Sequence, residues 1–360
     1  MSGSGLPAPA ELFVDWLRTL QQRIARTLWF RQEADAQQMA SVVASRGGDT
    51  IYLLDTHAEE IVLEACADLA HLAGPFILVM EGLPDGHQFF PARATPADAA
   101  FVVIIDPVDG TRELMYGLRS AWALGGIAPA AARWRRGADA PIATLADIVV
   151  AVQTELPVRR NNLALADQLW AVRGQGMVAQ RMNLDDGSVQ PLTLQPATQA
   201  TIAHGFAIFC KPFLEGKTWL AACEEDCFAR HLTAAGTPNA PVFDDQYISS
   251  GGQLYELLRG HYRFVADLRP LAGSGLCAHP YDLCTILIAQ EAGVLVTGPD
   301  GAPLAAPLDV TTAVAWVAYA NAALRAALEP HLQETLHRAL SIGEIPLRLN
   351  PGSPHPANAG

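Results

Sequence analysis

The stretch Phe101-Val102-Val103-Ile104-Ile105-Asp106-Pro107-Val108-Asp109-Gly110-Thr111 decides how the rest of the chain is read. Phe101 to Ile105 has no polar face, which predicts a strand buried on both sides. That strand delivers the carboxylates of Asp106 and Asp109 to its edge. Pro107 fixes the backbone between them and can aim the Val108 carbonyl the same way. Gly110 permits a tight turn and close backbone approach, and Thr111 adds a hydroxyl. Oxygen donors grouped like this suit Mg²⁺, which binds through a few carboxylates plus substrate phosphate. The same residues also read as an Asp/Gly turn at a strand end. The decision therefore rests on what else the chain offers.

Other acids stand at element ends. Phe76 to Met80 is a short apolar run, read as a strand ending at Glu81, with a loop through Gly82, Pro84, Asp85 and Gly86. Asp55 opens a helix running to Leu72. Asp282, in His279-Pro280-Tyr281-Asp282-Leu283, stands at the start of a helix from Tyr281 to Ala292. Each alone is explained as a helix cap, a first-turn acid or a solvated loop charge. Together they form a joint hypothesis of a phosphate-handling, cation-requiring site.

Around them the chain alternates. Residues 10–45 carry helical periodicity through Leu12, Trp16, Leu20 and Ile24. Strands are expected at 124–128, 147–153, 168–172, 206–210, 262–267 and 293–297. Helices are expected at 219–232, 252–259 and 311–340. Helices alternating with strands in both halves predict a layered α/β or α+β protein. The texture changes near 185. This divides the chain into an N-terminal α+β half (1–185), a C-terminal α/β half (186–342) and a loose tail (343–360).

Composition narrows the function. Of 360 residues, half are hydrophobic and 17% are charged, which excludes a disordered, collagenous or coiled-coil chain. A chain of this length buries enough surface to need no disulfide or metal staple. The net charge is −13, and the lysines are Lys211 and Lys217 alone. With no basic run, a nucleic-acid surface or a polybasic membrane patch is not expected. An acidic protein handling phosphate needs cations to neutralise both sides. The six cysteines form no CxxC pair. Cys223, Cys227 and His231 share a helix face but lack a fourth ligand, so scattered thiols in a reducing cytoplasm are the reading. The apolar stretch from Thr311 to Leu328 is broken by Asn321 and Arg325 and reads as a buried helix, not a bilayer span. Gly174-Gln175-Gly176-Met177-Val178-Ala179 formally matches the dinucleotide fingerprint GxGxxA, without its strand–helix context.

The order Asp55, Glu81, Asp106-Pro107-Val108-Asp109-Gly110-Thr111, then Tyr281-Asp282 resembles the inositol monophosphatase superfamily. That superfamily also holds bisphosphate nucleotidases and fructose-1,6-bisphosphatases. Leu169 to Gly176 is similar to its hairpin, and Tyr281 to Gly293 to its segment ending Glu-Ala-Gly. The likeness covers most of residues 45–300. It implies a layered α-β-α-β-α sandwich, with most metal ligands in the first half and Asp282 from the second. It implies a Mg²⁺-dependent, lithium-sensitive phosphomonoesterase acting on a small soluble phosphate ester. Inositol monophosphate, a 3′(2′),5′-bisphosphate nucleotide and a sugar phosphate are the candidate substrates. By the same resemblance Glu81, Asp106 and the Val108 carbonyl hold one Mg²⁺. Asp106, Asp109 and Asp282 hold a second, and a weaker third shares Glu81. Glu81 and Thr111 position the attacking water, Asp55 supports the Thr111 hydroxyl, and the N–H groups of Gly110 and Thr111 hold phosphate oxygens. Asp267 aligns with an acid that binds substrate hydroxyls. Arg112, Arg119 and Arg263 are candidates for a second phosphate. Dimers are common in the superfamily, so a homodimer is compatible.

The departures are specific. Met80-Glu81-Gly82 keeps one acid where the superfamily usually has two, and Tyr281 stands for the usual Trp. Arg112-Glu113 after the motif resembles the bisphosphate nucleotidases. Insertions around 212–246 and 269–279 are placed to reshape the substrate pocket. The competing class is a non-catalytic protein that binds phosphorylated ligands.

Overall fold

The computed structural model describes residues 5–34, 42–46, 49–131, 141–159 and 163–341. Seven α-helices are described: α1 (Ala10–Ala34), α2 (Leu53–Ala73), α3 (Thr111–Met115), α4 (Lys217–Ala234), α5 (Ser250–Leu258), α6 (Ile286–Glu291) and α7 (Ala322–Ser341). Strands β1 (Val42–Arg46) and β2 (Asp49–Tyr52) pair antiparallel. The main sheet comprises β3 (Phe76–Met80), β4 (His87–Phe90), β5 (Phe101–Asp109), β6 (Ala121–Pro129), β7 (Val150–Leu156), β8 (Leu165–Val172), β9 (Met177–Asn183) and β10 (Val189–Pro191). Its eight strands run in the order β10-β9-β8-β7-β6-β5-β3-β4. A four-stranded sheet follows, β11 (Phe206–Phe209), β12 (Tyr262–Asp267), β13 (Leu295–Thr297) and β14 (Trp316–Tyr319), in the order β11-β12-β14-β13.

Three hydrophobic cores set the layering. Phe76, Leu78 and Met80 of β3, with Phe101, Val103 and Ile105 of β5, face α1 and α2. The alternate residues Ile77, Val79, Val102 and Ile104 face the other way, onto α5, α6 and the small sheet. This is the period of two expected of a pleated strand. The far side of the small sheet, through Phe209, Phe264 and Val317, packs on Leu220 and Phe228 of α4 and Leu328 of α7. The order is helix, sheet, helix, sheet, helix, the expected layered sandwich. Phe101 stacks on Phe76 at 5.0 Å and meets Phe13 of α1 edge-on at 5.1 Å. Such pairs each add about 0.5–1.5 kcal/mol beyond area burial.

Three expected elements are corrected. The helical reading of 10–45 ends at Ala34, and Val42–Arg46 is a strand. The expected helix 311–340 is a buried strand, β14, followed by α7. A short apolar run buried on both faces carries no period to tell strand from helix. Asn321, which interrupts that run, caps α7 by accepting the Leu324 N–H at 2.8 Å. The expected helix 281–292 is a 3₁₀ turn, Pro280–Leu283, followed by the short α6. The tail 343–360 lies outside the described residues.

Candidate metal and phosphate site

Asp106 and Asp109 are three residues apart, a spacing that sends side chains to opposite faces of a regular strand. The structure resolves this with a bulge. Asp106 pairs with Leu124 of β6 and Asp109 with Trp122, so two residues of β5 face one of β6 between them. Pro107, which has no N–H to give the ladder, sits in the bulge. Both carboxylates thereby reach the same side. Parallel pairing of β3 with β5 puts Met80 opposite Ile105, so Glu81 leaves β3 at the level where Asp106 leaves the regular part of β5. Asp282 arrives from the 3₁₀ turn. Carboxylate oxygens of Asp106, Asp109 and Asp282 lie within 4.8 Å of one another, the only such group of potential metal ligands among the described residues.

Each carboxylate is held from behind. Asp109 Oδ2 accepts the Ser249 hydroxyl at 2.8 Å and the Gly251 N–H at 2.7 Å. Ser249 is also the N-cap of α5, its oxygen accepting the Gly252 N–H at 2.8 Å. A Cβ at Gly251 would stand 2.6 Å from Leu124 Cδ2 and 3.1 Å from Asp109 Oδ2, so only glycine lets this helix start close on Asp109. Gly110 takes the left-handed conformation, φ +93°, that turns the chain into α3. Asp106 Oδ1 accepts the Val108 N–H at 3.0 Å, and Asp282 Oδ2 accepts the His279 N–H at 2.6 Å.

The electrostatics are consistent with a cation site. Burial first, then the charges of Asp109, Asp282 and Glu81, push the Asp106 carboxyl well above the ordinary range. Burial and Asp109 do the same to Asp282. Burial lifts Asp109 to about 6 despite its hydrogen bonds to Gly251, Ser249 and Ser250. Hard oxygen donors that repel one another fit Mg²⁺.

The remaining expected residues fall close by. Asp55, in the first turn of α2, has Oδ1 2.9 Å from Thr111 Oγ1, which is also 2.9 Å from the Val108 carbonyl oxygen. The Thr111 proton is thus shared between two acceptors, leaving the hydroxyl lone pairs for another donor. Tyr281, which replaces the usual Trp, hydrogen-bonds Glu81. A Cβ at Gly82 would lie 2.2 Å from Glu59 Oε1, so a carboxylate from α2 fills the space beside the position that lacks its second acid.

Asp267 is placed differently from its expected role. It is buried, and Arg269 takes both its oxygens, Nε to Oδ1 at 2.8 Å and Nη2 to Oδ2 at 2.5 Å. The carboxylate faces its own arginine. Arg119 pairs with Asp245, Nη1 to Oδ2 at 3.0 Å, and Arg263 donates to the carbonyls of Thr201 and Ala203. Both have structural partners. Gly174 and Gly176 lie in the turn between β8 and β9, where their N–H groups each bind Glu291 at 2.8 Å. A protein carboxylate fills this turn, and no dinucleotide reading survives. Cys223 and Cys227 are core residues, and His231 sits 3.4 Å from the Ala327 carbonyl oxygen. Sequence reading missed Ser249, Gly251 and Arg269. Ser249-Ser250-Gly251-Gly252 carries only a helix-cap signal, and Arg269 lies in an insertion.

No family model matches the chain, and no curated protein matches it. Solved structures do. The extragenic suppressor protein SuhB from Bartonella henselae is 17% identical, with TM-score 0.61, over 90% of this chain and 99% of that one. Leishmania major fructose-1,6-bisphosphatase is 13% identical, with TM-score 0.63, over 89% and 94%. A Pyrococcus horikoshii protein with similarities to inositol-1 monophosphatase is 16% identical, with TM-score 0.55, over 91% and 98%. Over about nine-tenths of its length the chain therefore shares the fold of these structures, a mixed α/β architecture with two sheets of the inositol monophosphatase and fructose-1,6-bisphosphatase type.

Proposed function

We propose that the protein is a Mg²⁺-dependent phosphomonoesterase acting on a small soluble phosphate ester. The observation that carries this is the gathering of Asp106, Asp109 and Asp282 within 4.8 Å. In this reading Glu81, Asp106 and the Val108 carbonyl hold one ion. Asp106, Asp109 and Asp282 hold the second, and Glu81 shares a weaker third. The N-terminal half (1–185) then supplies most ligands and the C-terminal half (186–342) supplies Asp282. Bound Mg²⁺ would acidify water and neutralise phosphate oxygens.

The chain's own groups do the rest. Asp55 accepts the Thr111 proton, which frees the Thr111 oxygen to accept a proton from water on the side of Glu81. The N–H groups of Gly110 and Thr111 face the phosphate oxygens. Inositol monophosphate, a 3′(2′),5′-bisphosphate nucleotide and a sugar phosphate are the finer alternatives, with lithium inhibition expected. No described helix is long and apolar enough to cross a membrane. The reading places the enzyme in the cytoplasm and accommodates a homodimer.

The test is phosphate release from a panel of small esters, with Mg²⁺ and with EDTA. Release should require Mg²⁺. Asp109→Asn should lose more than the roughly 10–100-fold typical of an outer-sphere change. Release that ignores EDTA sinks the mechanism. The second reading, a non-catalytic binder of phosphorylated ligands, is favoured by Gly82 in place of an acid. It predicts calorimetric Mg²⁺ binding with no turnover of any ester.

A further inference from the structure

Gln153 stands in the middle of β7 and is 1% exposed. Its rung of the main sheet runs Asp106, Leu124, Gln153, Leu169, one residue each from β5, β6, β7 and β8. Residues paired directly across a ladder point to the same face. Gln153 therefore points to the side of Asp106, two strand spacings or about 10 Å away. Its neighbours on that face, Leu124, Ala151 and Leu169, are apolar core. An amide in such a layer costs stability unless its polar atoms are paired.

Both ends of the amide are paired, and both partners belong to elements that build the carboxylate cluster. Nε2 donates to the Gly251 carbonyl at 2.8 Å, and Oε1 accepts the Thr285 hydroxyl at 3.0 Å. A backbone carbonyl can only accept, so the amide has one orientation and Thr285 is the donor. Gly251 lies in the first turn of α5, and its N–H holds Asp109 at 2.7 Å. That residue is thus gripped on both sides, by Asp109 and by Gln153. Thr285 stands three residues after Asp282, at the start of α6. A threonine there ordinarily accepts from its own helix. Thr285 makes no such bond and turns to Gln153 instead. The sheet also leaves room for this turn. A Cβ at Gly126 of β6 would lie 2.7 Å from the Cys284 carbonyl oxygen, so glycine lets the segment after Asp282 approach the sheet backbone.

We infer that Gln153 is a positioning residue for the cation site. It pins the start of α5 and the turn bearing Asp282 to the rung of Asp106, and so sets the separation of Asp109 and Asp282. This rests on the Mg²⁺-dependent reading above. Mg²⁺ demands near-ideal octahedral geometry, whereas Ca²⁺ accepts a looser shell. A site held at a set separation should lose Mg²⁺ affinity when unpinned and keep its Ca²⁺ affinity.

The experiment is calorimetry of the full chain with Mg²⁺ and with Ca²⁺, beside thermal melting of the metal-free protein. Gln153→Met keeps the side-chain length and removes both bonds. It should weaken Mg²⁺ binding about tenfold, the low end of the range for outer partners, and Ca²⁺ binding less than about twofold. Thr154→Val is the matched control. Thr154 is the next residue of β7, buried on the opposite face, where its hydroxyl bonds Gln21 at 2.7 Å and Gln168 at 2.9 Å. This variant should lower the melting temperature comparably and leave both cation affinities unchanged. If Gln153→Met does not fold, Thr285 carries the test. Thr285→Val should weaken Mg²⁺ binding about threefold for the one lost bond. Thr285→Ser, which keeps the hydroxyl, should retain wild-type affinity. An unmoved Mg²⁺ affinity in Gln153→Met, a parallel loss for both cations, or the same shift in Thr154→Val overturns the positioning role. None of these outcomes depends on turnover. If no ester is hydrolysed and Gln153→Met still loses Mg²⁺ selectively, the positioning role stands and the phosphomonoesterase reading falls. If the wild type binds no Mg²⁺, both fall.

Discussion

Ser249 does two jobs with one hydroxyl: it donates to Asp109 and accepts from the Gly252 N–H that opens α5. Ser249→Ala should therefore cost about 0.5–2 kcal/mol of stability through the lost cap. It should also weaken Mg²⁺ binding by roughly 10–100-fold, because Asp109 loses its orienting partner. Thermal unfolding and Mg²⁺ calorimetry separate the two effects. Unchanged Mg²⁺ affinity would leave Ser249 a cap and nothing more. Asp109 itself was legible in the sequence, since paired carboxylates leaving an apolar strand have few purposes. Ser249 was not, because a serine before a helix announces a cap whether or not a second partner waits across the fold. Asp267 differs in what could be read. Its place at the end of β12 was legible, but the partner that occupies it came from an insertion with no pattern to read.

Among elements, the strands were the more legible where an unbroken apolar run ended at an acid, as in β3 and β5. The short strand β14 and the helix after it share one apolar stretch, and only burial on both faces separates them. The bulge in β5 could not be foreseen from Pro107 alone, since it depends on pairing with β6. The β8–β9 turn is a clearer element-level case. Its two glycine N–H groups are bridged by Glu291, the last residue of α6, at 2.8 Å each. Glu291→Gln should cost about 1 kcal/mol, less than a fully buried charged pair of bonds, because the turn is partly exposed. Unfolding in urea would report that loss. Phosphate release should stay unchanged, and an altered rate would place the turn in the catalytic machinery instead.

At the scale of the whole molecule, the carboxylate cluster ties stability to pH and to metal. The folded-state carboxyl of Asp109 is raised to about 6, and those of Asp106 and Asp282 are raised as well. Without metal the folded protein holds more protons than the unfolded chain between about pH 4 and 6, so stability falls as pH rises through that window. The EDTA-treated protein should melt higher at pH 5 than at pH 7. Mg²⁺ binds the deprotonated site, so it should raise the melting temperature at pH 7 and lose that effect toward pH 5. Parallel melting curves at both pH values, with and without Mg²⁺, would contradict a cation site here. The scarcity of lysine has a practical consequence on this scale. Lys211 is buried against Glu224 at 2.7 Å and Asp244 at 2.8 Å, whereas Lys217 is exposed at the start of α4. Lys217 directly follows Gly216, which abuts the insertion carrying Arg269. An amine-reactive dye should therefore label one lysine side chain, where the loop after β11 meets that insertion. Its fluorescence would follow, in real time, how the packing of those two loops changes as Mg²⁺ is added or removed.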